Sequence, residues 1–437
     1  MPKVLIAGGG VHGTFLSHAL SRTGALAPHD ITVVDPHEEP LAVWYRQTRN
    51  TGMSHLRSPS SHNLDLDFHA LRTFARDGGA ADVAPGTAAR KAGGADPAGG
   101  AAATSTPAFI APYARPTLEL FNRHARSVIE QHALRAMRRR GRLLDLELGD
   151  DRVRAETTDG TITADYVILA VGRTESPDRP QWATDLGLPA TYHIFDEDFS
   201  PERFDRARAP VIVGGGVTAA QAACHAARRS GGRVTLLTRG PLAVEQFDSE
   251  PCYIGPRCLR EFLSLQGAED RRRAIDAARH PGTMPWDVAR SLELDGRIDV
   301  VEDEVVALDP RAGGEVRLAT HGGRLVDSDL VVLATGFASG PPLADLVAEQ
   351  ARRHALAIGP AGYPVPDRVL RWHPRLLVAG PLGELELGPA APNIIGAHLA
   401  ARRLVPFFRG LIGAGTTRGS IETDRTPWTA LTHYLGA

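Results

Sequence analysis

The run Lys3-Val4-Leu5-Ile6-Ala7-Gly8-Gly9-Gly10-Val11-His12-Gly13 decides the fold. Its apolar residues read as a buried strand, the three consecutive glycines as a tight turn, and Thr14 to Ser21 as a helix. Ile31-Thr32-Val33-Val34-Asp35 then supplies a second strand and completes a βαβ unit. Gly8, Gly10 and Gly13 match G-x-G-x-x-G, and Asp35 falls 22 residues beyond the last of them. Such a turn lets backbone approach a pyrophosphate closely, while the helix N-terminus stabilises its negative charge.

The same order returns once. Pro210-Val211-Ile212-Val213 is a strand, Gly214, Gly216 and Ala219 give G-x-G-x-x-A with Thr218 inside the motif, Ala220 to Arg229 is helical, and Val234 to Leu237 is the next strand. Two Rossmann-like dinucleotide-binding domains in one α/β chain are therefore expected. The residue closing each second strand separates the cofactors. Asp35 can accept hydrogen bonds from a ribose, which suits FAD; the matching slot of the second unit holds Thr238 and then Arg239, a cation able to pair with a 2′-phosphate, which suits NADPH. Two further strands end in glycine, Tyr166 to Gly172 and Leu330 to Gly336, and a β-meander is expected before each. Gly172 and Gly336 join the cofactor-binding set.

Composition removes other classes. Of 437 residues, 43% are apolar and 23% charged, and 49 basic residues face 51 acidic ones, so the chain folds and has no general electrostatic attraction to nucleic acid or anionic membrane. Only Lys3 and Lys91 are lysines, which leaves little scope for Schiff-base chemistry. Cys224, Cys252 and Cys258 form no C-x-x-C pair, so neither a disulfide framework, nor a metal site, nor a dithiol redox centre is readable. A reducing compartment, no secretion signal and no membrane span lead to a cytoplasmic expectation. The domain reading is an FAD-binding part over 1–205, an NADPH-binding part over 206–324, a second FAD-binding part over 325–410 and a tail over 411–437. Residues 77–107, with 18 Ala or Gly among 31, read as a flexible insert. His193 to Asp196 reads as linker. Leu118, Phe121, Ala125, Val128 and Ile129 recur at helical spacing, with Pro116 near the helix start.

The two glycine motifs and the late Leu333-Ala334-Thr335-Gly336-Phe337 resemble class B flavin-dependent monooxygenases, most closely those that N-hydroxylate ornithine or lysine side-chain amines. The likeness extends over roughly residues 1 to 410, outside the insert. Met53-Ser54-His55-Leu56-Arg57-Ser58-Pro59-Ser60 is similar to the stretch that passes near flavin and nicotinamide in those enzymes. The resemblance implies FAD and NADPH, a C4a-hydroperoxyflavin, and a small-molecule amine and O2 as partners, with a homo-oligomer allowed. His55, Arg57, Ser60, Ser61, His62 and Asn63 form a polar cluster just after the first βαβ unit, where a loop can cross the flavin face; Arg57, as a cation for the reduced flavin or a phosphate, and His62 are catalytic candidates there. The resemblance also aims the helix after Ala391-Pro392-Asn393 at the flavin pyrimidine edge, which makes Asn393 both a cofactor and a catalytic candidate. Gln246, Phe247 and Asp248 are placed towards substrate. The sequence departs from xenobiotic-oxidising relatives by lacking F-x-G-x-x-x-H-x-x-x-[WYF], and from disulfide reductases by lacking C-x-x-C. An NADPH-linked flavin oxidoreductase without oxygen insertion, or a nucleotide-binding regulator, are the alternative readings.

Overall fold

A computed structural model describes residues 2–79, 107–173, 176–184 and 190–415. Most of the Ala/Gly-rich stretch and of the C-terminal tail lie outside them. The opening apolar run forms the strand Val4–Ala7, buried along its whole length, and Ile31–Asp35 lies parallel to it with Val4 opposite Ile31. Continuous burial is what a parallel strand covered on both faces requires. Tyr166–Leu169 pairs with the other side of Val4–Ala7, and Leu376–Val378 continues the parallel sheet beyond it. Arg138–Arg140 closes the opposite edge next to Ile31–Asp35, and Arg371–His373 adds an antiparallel strand at the near edge.

Between Leu169 and Arg371 the chain builds a second parallel sheet, in the order Thr191–His193, Leu330–Leu333, Pro210–Val213, Val234–Thr238, Ile298–Glu302. One dinucleotide fold thus interrupts the other. Two expected boundaries cut across this sheet. Thr191–His193 pairs with Leu330–Leu333, and Leu330–Leu333 pairs with Pro210–Val213, so sheet pairing begins before 206 and continues past 324. His193 is an edge-strand residue and Ile194 is fully buried, not linker. Both expected meanders are present, as Leu143–Leu148, Val153–Thr157 and Gly160–Ala164, and as Val305–Pro310, Val316–Thr320 and Leu325–Ser328.

The first glycine helix is Val11–Arg22, and the long late helix Ile394–Gly415 packs along it, with Phe15 and His398 rings 4.0 Å apart. Each fully buried Leu, Ile or Phe in this layer contributes roughly 1.5 to 3 kcal/mol. The helix expected after Pro116 runs over Leu118–Gln131, but its N-cap is Thr117, whose hydroxyl accepts from Leu120 N–H. Pro116 belongs to a short ribbon paired with Phe109. No helix among the described residues is long and apolar enough to cross a membrane.

Candidate active site

The site grows from the two glycine turns. Gly8 adopts φ +106, and a Cβ there would meet the Ala170 carbonyl at 2.7 Å. Gly13 is tighter still, since its Cβ would come within 1.8 Å of Gly8 O. These two glycines let helix and strands close on one another. Gly10 is different: a Cβ there would enter open space, and Gly10 caps the helix with neither a side-chain hydrogen bond nor an acidic residue in the first turn. Uncapped N–H groups facing open space suit a ligand anion, and the turn fits a dinucleotide pyrophosphate on that ground.

Asp35, at the end of its strand, accepts from Gly9 N–H at 2.6 Å and from His37 N–H at 2.8 Å. Arg138, overlooked in the sequence, lies over Gly9 with a guanidinium nitrogen 3.6 Å from the Asp35 carboxylate, and its Nη2 donates to the His37 carbonyl. Its only sequence signal is the run Arg138-Arg139-Arg140, which reads as an ordinary exposed patch.

In the second unit Gly214 adopts φ +148, and a Cβ there would meet Ala334 O at 2.4 Å and the Ala219 methyl at 3.1 Å. Ala219 is buried against the turn, Gly216 caps the helix Val217–Arg229 without a side-chain bond, and Thr218 is half-buried in its first turn. Gly336, at φ +91, follows the neighbouring strand, where Phe337 stacks on Phe195 at 5.1 Å. Arg239 is exposed at the strand end, and no carboxylate pairs with it among the described residues. Gly172 is exposed just beyond Tyr166–Leu169.

The catalytic candidates separate. Asn393, the residue before the late helix, donates from Nδ2 to Asp248 Oδ1 at 3.2 Å, which brings it together with the expected substrate segment. Arg57 joins them through the field of Asp248, although burial lowers its pKa. Its N–H groups are spent on the carbonyls of Gln246, Glu245 and Thr283 and on the Thr283 hydroxyl. Arg57 therefore staples the two units together, with four of its five N–H groups engaged in these bonds. His62 stands apart, 7% exposed, with Nδ1 unpartnered among the described residues and its pKa pushed down to about 4 by burial. It is neutral at physiological pH.

Several ion pairs that spacing could not reveal hold the units against each other. Arg115 pairs with Asp287, and Glu384, fully enclosed, accepts from both Arg272 and Arg279. Arg271 meets Glu386 beside them. The cysteine expectation also changes, because Cys252 and Cys258, six residues apart, form a disulfide, while Cys224 is buried and free. The pair sits just after Asp248 and leads into the helix Pro256–Ser264, whose Phe262 packs beside Gly388.

Comparison with known proteins agrees with this architecture. Residues 100–357 match the family described as pyridine nucleotide-disulphide oxidoreductase, and residues 5–174 match an FAD-NAD(P)-binding family. The chain belongs to the pyridine nucleotide-disulphide oxidoreductase family, and it is a flavin-dependent oxidoreductase using FAD and a nicotinamide nucleotide. No curated protein matches it by sequence. Among solved structures it is similar to the FAD-bound cadaverine monooxygenase of desferrioxamine biosynthesis from Erwinia amylovora, at 16% identity over 98% of this chain and 97% of that one, with a TM-score of 0.65. The ornithine N-hydroxylase of Kutzneria sp. 744 is similar at 15% identity, over 94% of this chain and all of its own, with a TM-score of 0.69. A bacillithiol disulfide reductase from Bacillus cereus is similar at 18% identity, over 94% and 99% of the two chains, with a TM-score of 0.58. At these identities the likeness is one of fold.

Proposed function

We propose that the protein is an NADPH-dependent FAD monooxygenase that N-hydroxylates an amine of an amino acid or related small metabolite, with O2 as co-substrate. The observation that carries this reading is the Asp248 carboxylate, held by the Asn393 amide at the start of the late helix. A carboxylate in that place can pair with an ammonium substrate and orient its nitrogen. When bound, reduced FAD supplies the activation of O2.

The chain's own residues do the rest. The first glycine turn, with Asp35, holds FAD on the first sheet; the second turn holds NADPH on the other, with Arg239 on its 2′-phosphate. Arg57 fixes the loop that carries it against Gln246 and Thr283. Arg115 and Glu384 keep the units in contact and exclude water from between them, which favours productive oxygen transfer over wasteful release of peroxide. A cytoplasmic location goes with this dependence on NADPH.

The test is NADPH oxidation in air with a panel of diamines and basic amino acids, coupled to mass spectrometry of the products. One amine should accelerate turnover and return heavier by one oxygen atom derived from O2. A second reading, electron transfer without oxygen insertion, is favoured by the Cys252 and Cys258 pair near Asp248. Equal NADPH oxidation under nitrogen with a quinone or disulfide acceptor, and no oxygenated product in air, would establish that second reading and remove the first.

A further inference from the structure

His12 occupies an undefined position of the first glycine motif, yet it is the side chain that joins the two helix N-termini of the first sheet. Its ring is nine-tenths buried, and Nε2 lies 3.1 Å from the carbonyl oxygen of Asn393. A carbonyl only accepts, so Nε2 carries the proton and Nδ1 has a lone pair. Nδ1 has no partner. It faces Gly380, where a Cβ would stand 3.3 Å away, so the imidazole is wedged between the glycine turn, Gly380 and the entry to the late helix. Burial pushes its pKa down to about 4, against the pull of the Pro392 and Asn393 carbonyls, and the ring stays uncharged at neutral pH.

The geometry gives this link a purpose. Val4–Ala7 leads into the first glycine helix, and Leu376–Val378, parallel to it in the same sheet, precedes the late helix. Both turns therefore open at the carboxyl edge of one sheet, where dinucleotides bind. A dinucleotide whose pyrophosphate rests at Gly10 is long enough to extend towards the second N-terminus, and a helix N-terminus stabilises negative charge placed before it. The Asn393 carbonyl also accepts from Gly396 N–H at 2.9 Å, so His12 grips the first turn of the late helix itself.

We propose that His12 is a positioning residue for the flavin: by donating to the Asn393 carbonyl it holds the late-helix N-terminus in register with the first glycine turn, and thereby sets flavin affinity and reduction potential. The proposal rests on FAD lying on the first glycine turn. Shifting the late helix moves its N-terminal field away from the reduced, anionic ring and leaves the pyrophosphate site intact.

The experiment uses the full chain stripped of flavin, with FAD and ADP as separate probes and dye-coupled reduction for the potential. Three variants are compared with wild type: His12→Gln, which can still present a donor near the Nε2 position, His12→Leu, which fills the space without a donor, and His12→Asn, which is too short to reach. His12→Leu should bind FAD about tenfold more weakly, the scale of one lost hydrogen bond. Its ADP affinity should stay at the wild-type value, and its flavin potential should become more negative. His12→Gln should restore both flavin properties. Should the leucine variant fail to fold, His12→Asn carries the same expectations. The proposal is overturned if folded variants lacking the donor keep wild-type FAD affinity and potential, if ADP and FAD weaken equally, or if His12→Gln behaves like His12→Leu. Wild-type protein that binds neither FAD nor ADP at this turn, as judged by an unchanged affinity in Gly10→Val, would instead remove the reading on which the proposal stands.

Discussion

Arg115 and Asp287 form a two-pronged ion pair between the nucleotide units, with donor distances of 2.6 and 3.0 Å, and the arginine is 1% exposed. Arg115 precedes the helix Leu118–Gln131 of the first unit, while Asp287 stands in the first turn of Trp286–Leu294 in the second. The third donor, Nε, reaches the Leu56 carbonyl at 2.8 Å next to Arg57. A buried pair of this kind contributes little net stability relative to an apolar replacement, but removing one partner strands the other charge. Asp287→Ala should therefore cost about 3 to 5 kcal/mol. Denaturant titration followed by flavin fluorescence and by circular dichroism checks this, and a loss below about 1 kcal/mol would show that water replaces the carboxylate.

The two kinds of glycine in the first turn should separate experimentally. Gly13→Ala forces a methyl against Gly8 O and should destabilise the fold by about 2 to 3 kcal/mol or more, with flavin lost as a consequence. Gly10→Val points into open space, so stability should change by less than about 1 kcal/mol while FAD affinity falls at least roughly tenfold. Flavin absorbance per chain, measured beside the thermal midpoint, distinguishes the cases. Equal flavin content in Gly10→Val and wild type would move the pyrophosphate elsewhere.

Much of this architecture is legible in the sequence because buried parallel strands are apolar runs leading to a glycine, as in Val4 to Gly8 and, with Thr335 before the glycine, Leu330 to Gly336. Thr191-Tyr192-His193 has no such run, which hid an edge strand and displaced the boundary. Arg115 and Asp287 are 172 residues apart, and only tertiary packing brings them together. Cys252 and Cys258 carry no motif spacing; they meet because the short turn Pro251–Ile254 folds back onto the helix Pro256–Ser264. His12 is not legible for a simpler reason: the glycine motif leaves its position undefined, and its partner Asn393 is 381 residues away.

Arg239 should decide nucleotide preference. Arg239→Ala should raise the KM for NADPH by about tenfold or more, the scale of one charge-assisted contact, and leave the KM for NADH nearly unchanged. Steady-state kinetics with both nucleotides is the check. A parallel loss for both would place the arginine outside the 2′-phosphate site.

Thiol counting tests the cysteine pair. Denatured without reductant, each chain should react with one equivalent of thiol reagent, through Cys224, and with three after reduction. Cys252→Ser should cost roughly 2 kcal/mol of stability, because the bridge closes a short loop. Three reactive thiols in protein purified without reductant would show that the bridge does not form in solution.

Acid should unfold this protein early, because its buried histidines are kept neutral. Burial is the largest cause that pushes His12, His18, His62, His124 and His193 down to about 4, and His398 to about 3, from an ordinary value of 6.5. Each folded pKa lies below its unfolded value, so the unfolded chain binds protons more readily than the folded one. The stability linked to these rings is then fully present above about pH 6.5 and drains away as pH falls from there towards the folded values. A shift from 6.5 to about 4 corresponds to roughly 3 kcal/mol for one fully buried imidazole, and each ring costs up to about 1.4 kcal/mol per pH unit across that window. Denaturant midpoints should hold steady from pH 8 to about pH 7 and then fall steeply between about pH 6 and 5. His62→Asn tests a single contribution, since His62 pairs with no carboxylate among the described residues and burial alone causes its shift. Whatever that variant loses at neutral pH, its stability should fall less steeply than wild type by up to about 1.4 kcal/mol per pH unit. Identical slopes for the two proteins would mean that His62 is already solvated in the folded chain.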